Sequence, residues 1–516
     1  MFQKIPAKLW YLIGFTVLFK IVIASSIELG NDEVYYYTYA LQPDWNHFDH
    51  PPIVGLLIRL TTLNLHWLCD LSMRLGAIIG CSLSTIFIFL TAQKIRNERT
   101  GWFAALIYNV SIYTGVISGL FILPDSPQMI FWTAAIYSIV KFLDNNNSLK
   151  QWLIIGLLIG LSSLCKIHGL YLWVGLGLYI LINKREWLLN AKVYAAGILS
   201  LLCLIPIVFW NIQNNFITYK FHSERVSNHS IKFDSFIHEL FGEMFYQNPV
   251  IFVLIIISLV WIIRNRKAQI NNHLILLLCL SLPMIALFLG ISLFNETLPH
   301  WSGPGYIPLY IIAAIYLENK SIKASPVVLN FAGSLIVIVL VIGTIAANYA
   351  PFNIGSKEWE NYGEYCPTLD ISGWNDFGNK MKILVQKDIK NGTMKPSSPI
   401  LINKWFPAGH IEFYVATKTH QQVIAAGKLE DVHKFAWLNK ERPALQLGDD
   451  AYCIVPSNIN VGEQVKDYSE YFTSVSEPQI ITQIRGGKIV RYFKVYRLRG
   501  CRKLFNKILP ESINRG

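Results

Sequence analysis

Charge is what this 516-residue chain has least of: 15% of its residues are Asp, Glu, Lys or Arg, against 53% hydrophobic. A soluble domain carries about 25% charged residues, so the shortage excludes a soluble enzyme and a disordered or collagenous chain. Cysteine is sparse as well, eight in the whole length, which excludes a disulfide scaffold. Five of them (Cys69, Cys81, Cys165, Cys203 and Cys279) lie in or beside apolar stretches. The net charge of +12 is spread over short loops and a polar tail without one dominant basic cluster, so nucleic acid is not the expected partner. What the chain does have is apolar runs of about 20 residues, the length a bilayer-spanning helix needs.

The first run, Leu9 to Ile27, is too long for the apolar core of a cleaved leader and is followed by no small-residue cleavage site. It reads as a retained span. Further spans are expected at 72–93, 102–121, 126–143, 151–166, 168–183, 192–211, 249–264, 272–293, 303–318 and 326–349, about eleven in all. The stretch 151–183 must fold back on itself around Cys165–Gly169. Basic residues sort with this count: Lys4 and Lys8; Lys94, Arg96 and Arg99; Lys141 and Lys150; Lys184, Arg185 and Lys192; Arg264, Arg266 and Lys267; Lys320 and Lys323. All fall in loops on the side of the amino terminus, which the positive-inside tendency makes cytoplasmic. The loops at 28–71, 122–125, around 167, 212–248 and 294–302 are then external, and so is the carboxy-terminal tail.

Near Pro351 the composition turns polar, with no further spanning run, dividing the chain into a membrane domain (1–349) and an external soluble α/β domain (350–516). There the spacing predicts a helix over Trp374–Lys390 and strands at Ile400–Trp405, His410–Ala416, Tyr452–Val455 and Lys488–Tyr496. Asp370 to Trp374 reads as a helix start capped by Ser372. Arg491 to Gly500 reads as an alternating strand whose basic face is solvated, or else meets anionic headgroups. Cys366, Cys453 and Cys501 leave room for one bridge among them, with no pair singled out.

The polar signatures all fall on the external side. The first external loop holds Asn31-Asp32-Glu33, then Tyr35-Tyr36-Tyr37, then Asp49-His50-Pro51-Pro52; a solvated loop with a Pro-Pro helix start is the bland alternative. Leu123-Pro124-Asp125-Ser126-Pro127 follows, where Asp125 could simply cap a helix. Lys166-Ile167-His168-Gly169 interrupts an apolar stretch, its lysine either snorkelling or meeting an anion. His222-Ser223-Glu224-Arg225 and Pro299-His300-Trp301-Ser302 complete the set, and Trp301 alone would be an interfacial aromatic. Carboxylates, a few cations and many aromatics at a membrane face suit a substrate with a phosphate head and a lipid tail. Lys166 and Arg225 would hold phosphate oxygens, a carboxylate would take a proton from a hydroxyl, and Tyr35, Tyr36, Tyr37 and Trp301 would face a sugar ring.

These pieces, in this order and on one side, resemble the GT-C superfamily of polytopic glycosyltransferases, specifically the bacterial relatives of protein O-mannosyltransferases and of the aminoarabinose transferases that modify lipid A. The resemblance rests on Asp32-Glu33, Asp49-His50-Pro51-Pro52, Pro124-Asp125, Lys166 in Cys-Lys-Ile-His-Gly, Trp210-Asn211 leading to Phe221-His222 and Arg225, and Pro299-His300-Trp301. It implies a polytopic helical membrane protein of the bacterial inner membrane with a carboxy-terminal periplasmic domain. The implied activity is inverting transfer of a sugar from a polyprenyl-phosphate donor to lipid A, another glycolipid, a polysaccharide or a protein, with no nucleotide cofactor. Under the resemblance Asp32, Glu33 and Asp125 are catalytic, Lys166, Arg225 and His50 bind the donor phosphate, and Tyr35, Tyr36, His300 and Trp301 contact substrate. Asp49 and His222 could share a divalent cation (Mg, Mn or Zn). His50 stands where the aminoarabinose transferases have Lys, which weakens the phosphate clamp. Two other classes compete: a transporter or flippase of lipid-linked saccharides, which would place ionisable residues mid-span, whereas here they gather at one face with Lys20 the main exception, and a non-catalytic assembly subunit, for which the polar set has no use. Monomer or oligomer is left open.

Overall fold

The computed structural model describes residues 5–143, 148–226, 230–265, 270–320, 326–462 and 464–503. Among them, five helices are long and apolar enough to cross a bilayer: Ala7–Ser26, Asp70–Ile95, Ala191–Gln213, Asn272–Ser292 and Val327–Tyr349. A sixth crossing results if Phe233–Tyr246 and Pro249–Arg264, bent by 99° at their junction, count as one. The bend falls where Asn248 takes a positive φ of 68° directly before Pro249, a residue that disfavours helix in its predecessor. Shorter apolar helices, Leu149–Cys165 and Ile167–Asn183, meet at the expected fold-back. Of the basic residues assigned above to one side, Lys4, Arg266, Lys267 and Lys323 lie outside the described residues.

Helix starts follow local chemistry. Asn97, Ser148 and Asn271 each accept a backbone N–H from two or three residues on, and Pro249 occupies a first-turn position that has no use for an N–H. The ends that carry basic residues come together: Lys8 pairs with Glu98 at 2.7 Å and Arg96 with Glu318 at 2.6 Å.

One expected span is interrupted, and two expected loops contain helices. The run 102–121 forms the helix Glu98–Val110 and then a π-helical turn, Tyr113–Ile117, a feature common at functional sites. Thr114 Oγ1 bonds back to the Tyr108 carbonyl, so local side-chain bonding replaces the regular ladder. The loop expected at 28–71 contains two helices, Asn31–Leu41 and Ile53–Thr61. They touch at Gly55, where any Cβ would come within 2.7 Å of the Tyr39 Cβ. The loop at 212–248 likewise holds the helices Ile217–Glu224 and Phe233–Tyr246.

The carboxy-terminal part is a six-stranded mixed sheet: β1 (Ile400–Ile402), β2 (Val423–Ala425), β3 (Ala451–Pro456), β4 (Phe472–Val475), β5 (Gln479–Arg485) and β6 (Lys488–Cys501). The order is β2-β1-β3-β6-β4, with β5 also paired to β6. β1 runs parallel to β2 and β3, and β6 antiparallel to its three partners. The predicted helix Trp374–Lys390 is present, and the predicted strands at 400, 452 and 488 correspond to β1, β3 and β6.

Three expectations fail. His410–Ala416 is helical: its aromatic and β-branched residues pack on the Asn31–Leu41 helix, and Gly409 lets the two backbones approach, a Cβ there falling 2.9 Å from Val34. Tertiary packing has overridden strand propensity. The Arg491–Gly500 strand, paired on both edges, does not present a solvated basic face. Arg491 is fully buried and donates to Gln483, Leu369 and Ser372, and Arg497 pairs with Asp388 at 2.7 Å. Ser372 is no helix cap. Its hydroxyl bonds the Thr368 carbonyl, and the Trp374–Lys390 helix is capped from the other domain, with the Trp374 and Asn375 N–H groups donating to the Glu28 carboxylate at 2.6 and 3.0 Å. All eight cysteines are free.

One apolar core joins the sheet domain to the 28–71 segment, running from Leu29, Tyr39 and Val54 through Trp374 and Phe377 to Ile400, Tyr452 and Val495. The sheet domain is therefore packed on that segment rather than tethered to it. Glu28→Ala removes the inter-domain cap at a cost of about 1 kcal/mol. The expected outcome is faster proteolytic release of the carboxy-terminal domain, measured as cleavage half-time in native detergent solution.

Candidate active site

Four carboxylates and their partners cluster at one end of the helices, and their commitments differ. Glu33, in the first turn of the Asn31–Leu41 helix, is fully engaged. Arg74 donates to Glu33 Oε1 from Nε at 2.8 Å and to Oε2 from Nη2 at 2.6 Å, while the Gly30 and Ile122 N–H groups supply two more bonds at 2.9 and 3.1 Å. Arg74 spends its remaining donors on the carbonyls of Ala24, Ile27 and Glu28. Both side chains are buried, and a doubly bonded guanidinium–carboxylate pair is among the stronger polar contacts available there.

Asp125 is committed too. Lys166 Nζ lies 3.0 Å from each of its oxygens, and the Tyr113 hydroxyl donates to Oδ1 at 2.7 Å. The π-helical turn is what aims Tyr113 at it. Asp49 accepts from the Tyr35 hydroxyl at 2.7 Å and from the Tyr39 hydroxyl. Burial works against charge on Asp49, but His50, His433 and these hydroxyls outweigh it and hold the carboxyl below its ordinary range.

Asp32 is different. Among the described residues its carboxylate makes no hydrogen bond or ion pair, and it faces open space. Desolvation by the surrounding protein, reinforced by Asp49, Glu33, Asp125 and Asp370, pushes it up to about 6. A carboxylate poised there is a far better proton acceptor than an ordinary aspartate.

The space it faces is divided. A cavity of about 540 Å³ is lined by Asp32, Tyr35, Tyr36, Asp49, His50, Lys166, His222, Arg225, His300 and Trp301, within the size range of small-molecule sites. A second, of about 310 Å³, is lined by Asp32, Glu33, Asp125, Tyr246 and Asp370 among others. Asp32, Tyr36, His50, Lys166 and His300 belong to both and form the wall between them. The twelve residues given catalytic, binding or metal roles line one cavity or the other; Tyr37, also expected to face a sugar, lines neither and packs edge-on against the Phe413 ring at 5.0 Å.

In the larger cavity Arg225 has no carboxylate partner among the described residues; its guanidinium rests over the rings of Trp301 at 5.1 Å and Phe221 at 5.6 Å. Such stacking fixes its plane without neutralising it. Burial, with Lys166 and His222 adding to it, pushes His50 down to about 4, and burial pushes His300 down to about 3. Both are neutral imidazoles at physiological pH, able to hydrogen-bond but not to act as cations.

Asp49 and His222 were the residues expected to share a metal. His222 Nε2 lies 2.8 Å from the Asp49 carbonyl oxygen, not its carboxylate. No group of three or more His, Cys, Asp or Glu suited to a metal ion occurs among the described residues. Two donors do not build a metal centre, and no step below is routed through one.

Sequence reading missed Arg74, Trp405, His433 and Asp370. Arg74 was legible in principle, as an ionisable residue inside an apolar run. The other three come from the sheet domain: Trp405 and His433 line the larger cavity and Asp370 the smaller. His433 packs against Tyr35, Phe48, Phe221 and Trp405, which closes the cavity roof.

Two outcomes are expected. Removing one partner of the buried pair, as in Arg74→Met, costs about 3–5 kcal/mol, read as a lowered thermal midpoint. Asp32 titrates higher in the folded state than in the unfolded chain, so its contribution is intact below about 4 and is lost as pH rises through about 6. Asp32→Asn is therefore expected to be more stable than wild type at pH 7.5, the advantage shrinking toward pH 4 in thermal melts.

Residues 49–210 match the family model described as dolichyl-phosphate-mannose-protein mannosyltransferase. The fold matches the crystal structure of ArnT from Cupriavidus metallidurans bound to undecaprenyl phosphate with a TM-score of 0.62 and 14% identity, covering 95% of this chain and 98% of that one. The same protein in the apo state gives a TM-score of 0.57 at 12% identity, with the same coverage. No curated protein matches the chain. In the sequence of one segment and in the fold of nearly its whole length, this chain resembles the GT-C membrane glycosyltransferases, of the protein mannosyltransferase and ArnT kind.

Proposed function

We propose that the protein is an inverting glycosyltransferase that moves a sugar from a polyprenyl-phosphate donor to a hydroxyl of an envelope molecule, on the periplasmic face of the bacterial inner membrane. The observation that carries this reading is Asp32: an uncommitted carboxylate, raised to about 6, in the wall between two cavities. A base at that position can reach a hydroxyl on one side and a sugar on the other.

The larger cavity takes the donor. Arg225 and Lys166 meet the phosphate oxygens, with His50 and His222 as hydrogen-bond partners, and the aromatic lining of Tyr35, Tyr36 and Trp301 faces the sugar and first isoprene units. The acceptor hydroxyl arrives from the smaller cavity. Asp32 takes its proton as the hydroxyl oxygen bonds to the anomeric carbon and the carbon–phosphate oxygen bond breaks, the electron pair leaving with the phosphate. Cationic neighbours make the phosphate a good leaving group, so no general acid is required. A single displacement inverts the anomeric centre.

Glu33 and Asp125, read from the sequence as catalytic, act in this scheme by positioning. Glu33, through Arg74, holds the helix that presents Asp32. Asp125 holds the Lys166 ammonium at the shared wall until the donor phosphate competes for it. Asp49, clamped by two tyrosines, fixes the chain that carries His50 and His222.

Asp32→Asn is expected to lower transfer by about 10²- to 10⁴-fold while leaving donor binding unchanged. Wild-type activity is expected to fall as pH drops below about 6, where the base becomes protonated. Mass spectrometry of envelope lipids and glycans from cells carrying wild type, deletion or Asp32→Asn tests this. A sugar mass lost in both altered strains supports the proposal, and full retention of that mass in Asp32→Asn defeats it.

A further inference from the structure

A third cavity, of about 650 Å³, lies in the sheet domain and is absorbed by none of the roles above. It shares Asn31, Pro367 and Asp370 with the smaller cavity and Trp405 with the larger, so it adjoins both chambers. Asn31 directly precedes Asp32 and is held by His410 Nε2 at 2.8 Å, which places this cavity's inner end beside the base.

Its lining has a definite chemistry. Glu364, Asp370, Glu430 and Asp431 supply four carboxylates against one ammonium, Lys404, which is itself bonded to the Asn460 carbonyl at 2.8 Å. Amides of Asn31, Asn458 and Asn460 stand among them, and three aromatic rings complete the walls, Tyr365 being 87% exposed. Carboxylates and amides accept hydrogen bonds from hydroxyl and ammonium groups, and flat rings stack on the C–H faces of sugars. The excess of negative charge repels a phosphate and concentrates a cation.

We propose that this cavity is the acceptor groove, and that it takes a saccharide segment bearing hydroxyl and amino groups in preference to a phosphorylated one. The inference rests on the transferase reading and narrows its acceptor. A phosphate in this groove would meet four carboxylates; a glucosamine-like residue would meet complementary acceptors and an aromatic platform, with its next hydroxyl directed toward Asp32.

The test uses the full-length protein in lipid nanodiscs and three probes: a glucosamine tetrasaccharide, its N-acetylated counterpart and a phosphorylated mannose oligosaccharide, each titrated calorimetrically. The glucosamine probe is expected to bind tightest and to weaken at least tenfold in Glu430→Gln/Asp431→Asn. The N-acetylated probe is expected to respond less to that variant, and the phosphorylated one to bind weakest. Tyr365→Asn, at a solvent-exposed ring whose positive φ of 64° Asn tolerates, is expected to weaken both unphosphorylated probes. Tightest binding of the phosphorylated probe, or unchanged binding of the glucosamine probe in both variants, overturns the proposal. The two readings fail separately: transfer that survives Asp32→Asn with groove binding as expected removes the catalytic base and leaves the groove. Loss of transfer in Asp32→Asn, with groove variants binding as wild type, removes the groove alone.

Discussion

The buried pair between Arg74 and Glu33 ties together four parts of the chain that have little other reason to meet. Arg74 comes from inside the Asp70–Ile95 helix, and its five donors reach Glu33 and three carbonyls at the end of the first helix. Glu33 in turn accepts N–H groups from Gly30 and Ile122. A guanidinium has five N–H donors, and each is used. Because an unpaired charge at this depth costs several kcal/mol, the pair fixes the register between the Asn31–Leu41 helix, the first spanning helix and the segment leading to Pro124–Asp125. Asp32 is the neighbour of Glu33 on that helix, so the same bond that satisfies one carboxylate holds the next one out, unpaired, over the cavities.

The site then works by unequal commitment. Glu33, Asp125 and Asp49 each have strong partners; Asp32 has the repulsion of all three and, among the described residues, no donor of its own. Arg225 is the cationic counterpart, stacked on two rings and unpaired with any carboxylate among the described residues. On the proposed reading, Asp32 and Arg225 are a base and an anion-binding group held apart in one enclosed space, the separation a displacement at a sugar phosphate needs. The sheet domain belongs to this arrangement: Trp405 and His433 roof the larger cavity, Asp370 lines the smaller, and Glu28 of the membrane domain caps the helix that carries the shared core.

Much of this was legible because membrane chemistry is restrictive. Polar clusters are rare enough in such a chain that Asp32, Asp49-His50, Asp125, Lys166, His222, Arg225 and His300-Trp301 stood out, and all line the cavities. The helices ending at Arg264 and Tyr349 were readable from their apolar runs, and the helix Trp374–Lys390 from periodicity. Illegible were the features set by distant partners. Glu33 and Asp32 are equivalent in sequence, and only Arg74, 41 residues on, separates their roles. His410–Ala416 has strand composition but is moulded into a helix by the surface it packs on. The basic alternation of Arg491 and Arg497 suggested a solvated face, but their partners Leu369 and Asp388 lie more than a hundred residues away in sequence. The contributions of Trp405, His433 and Asp370 depend on domain docking, which no local pattern encodes.

The central claim is a single displacement in which Asp32 accepts a proton and never bonds to the sugar. The measurement that addresses it most directly is the anomeric configuration of the transferred residue, determined by NMR coupling constants on donor and product. The account predicts inversion. A product with the donor's configuration would require a double displacement or attack from the face of the leaving phosphate, and would contradict it.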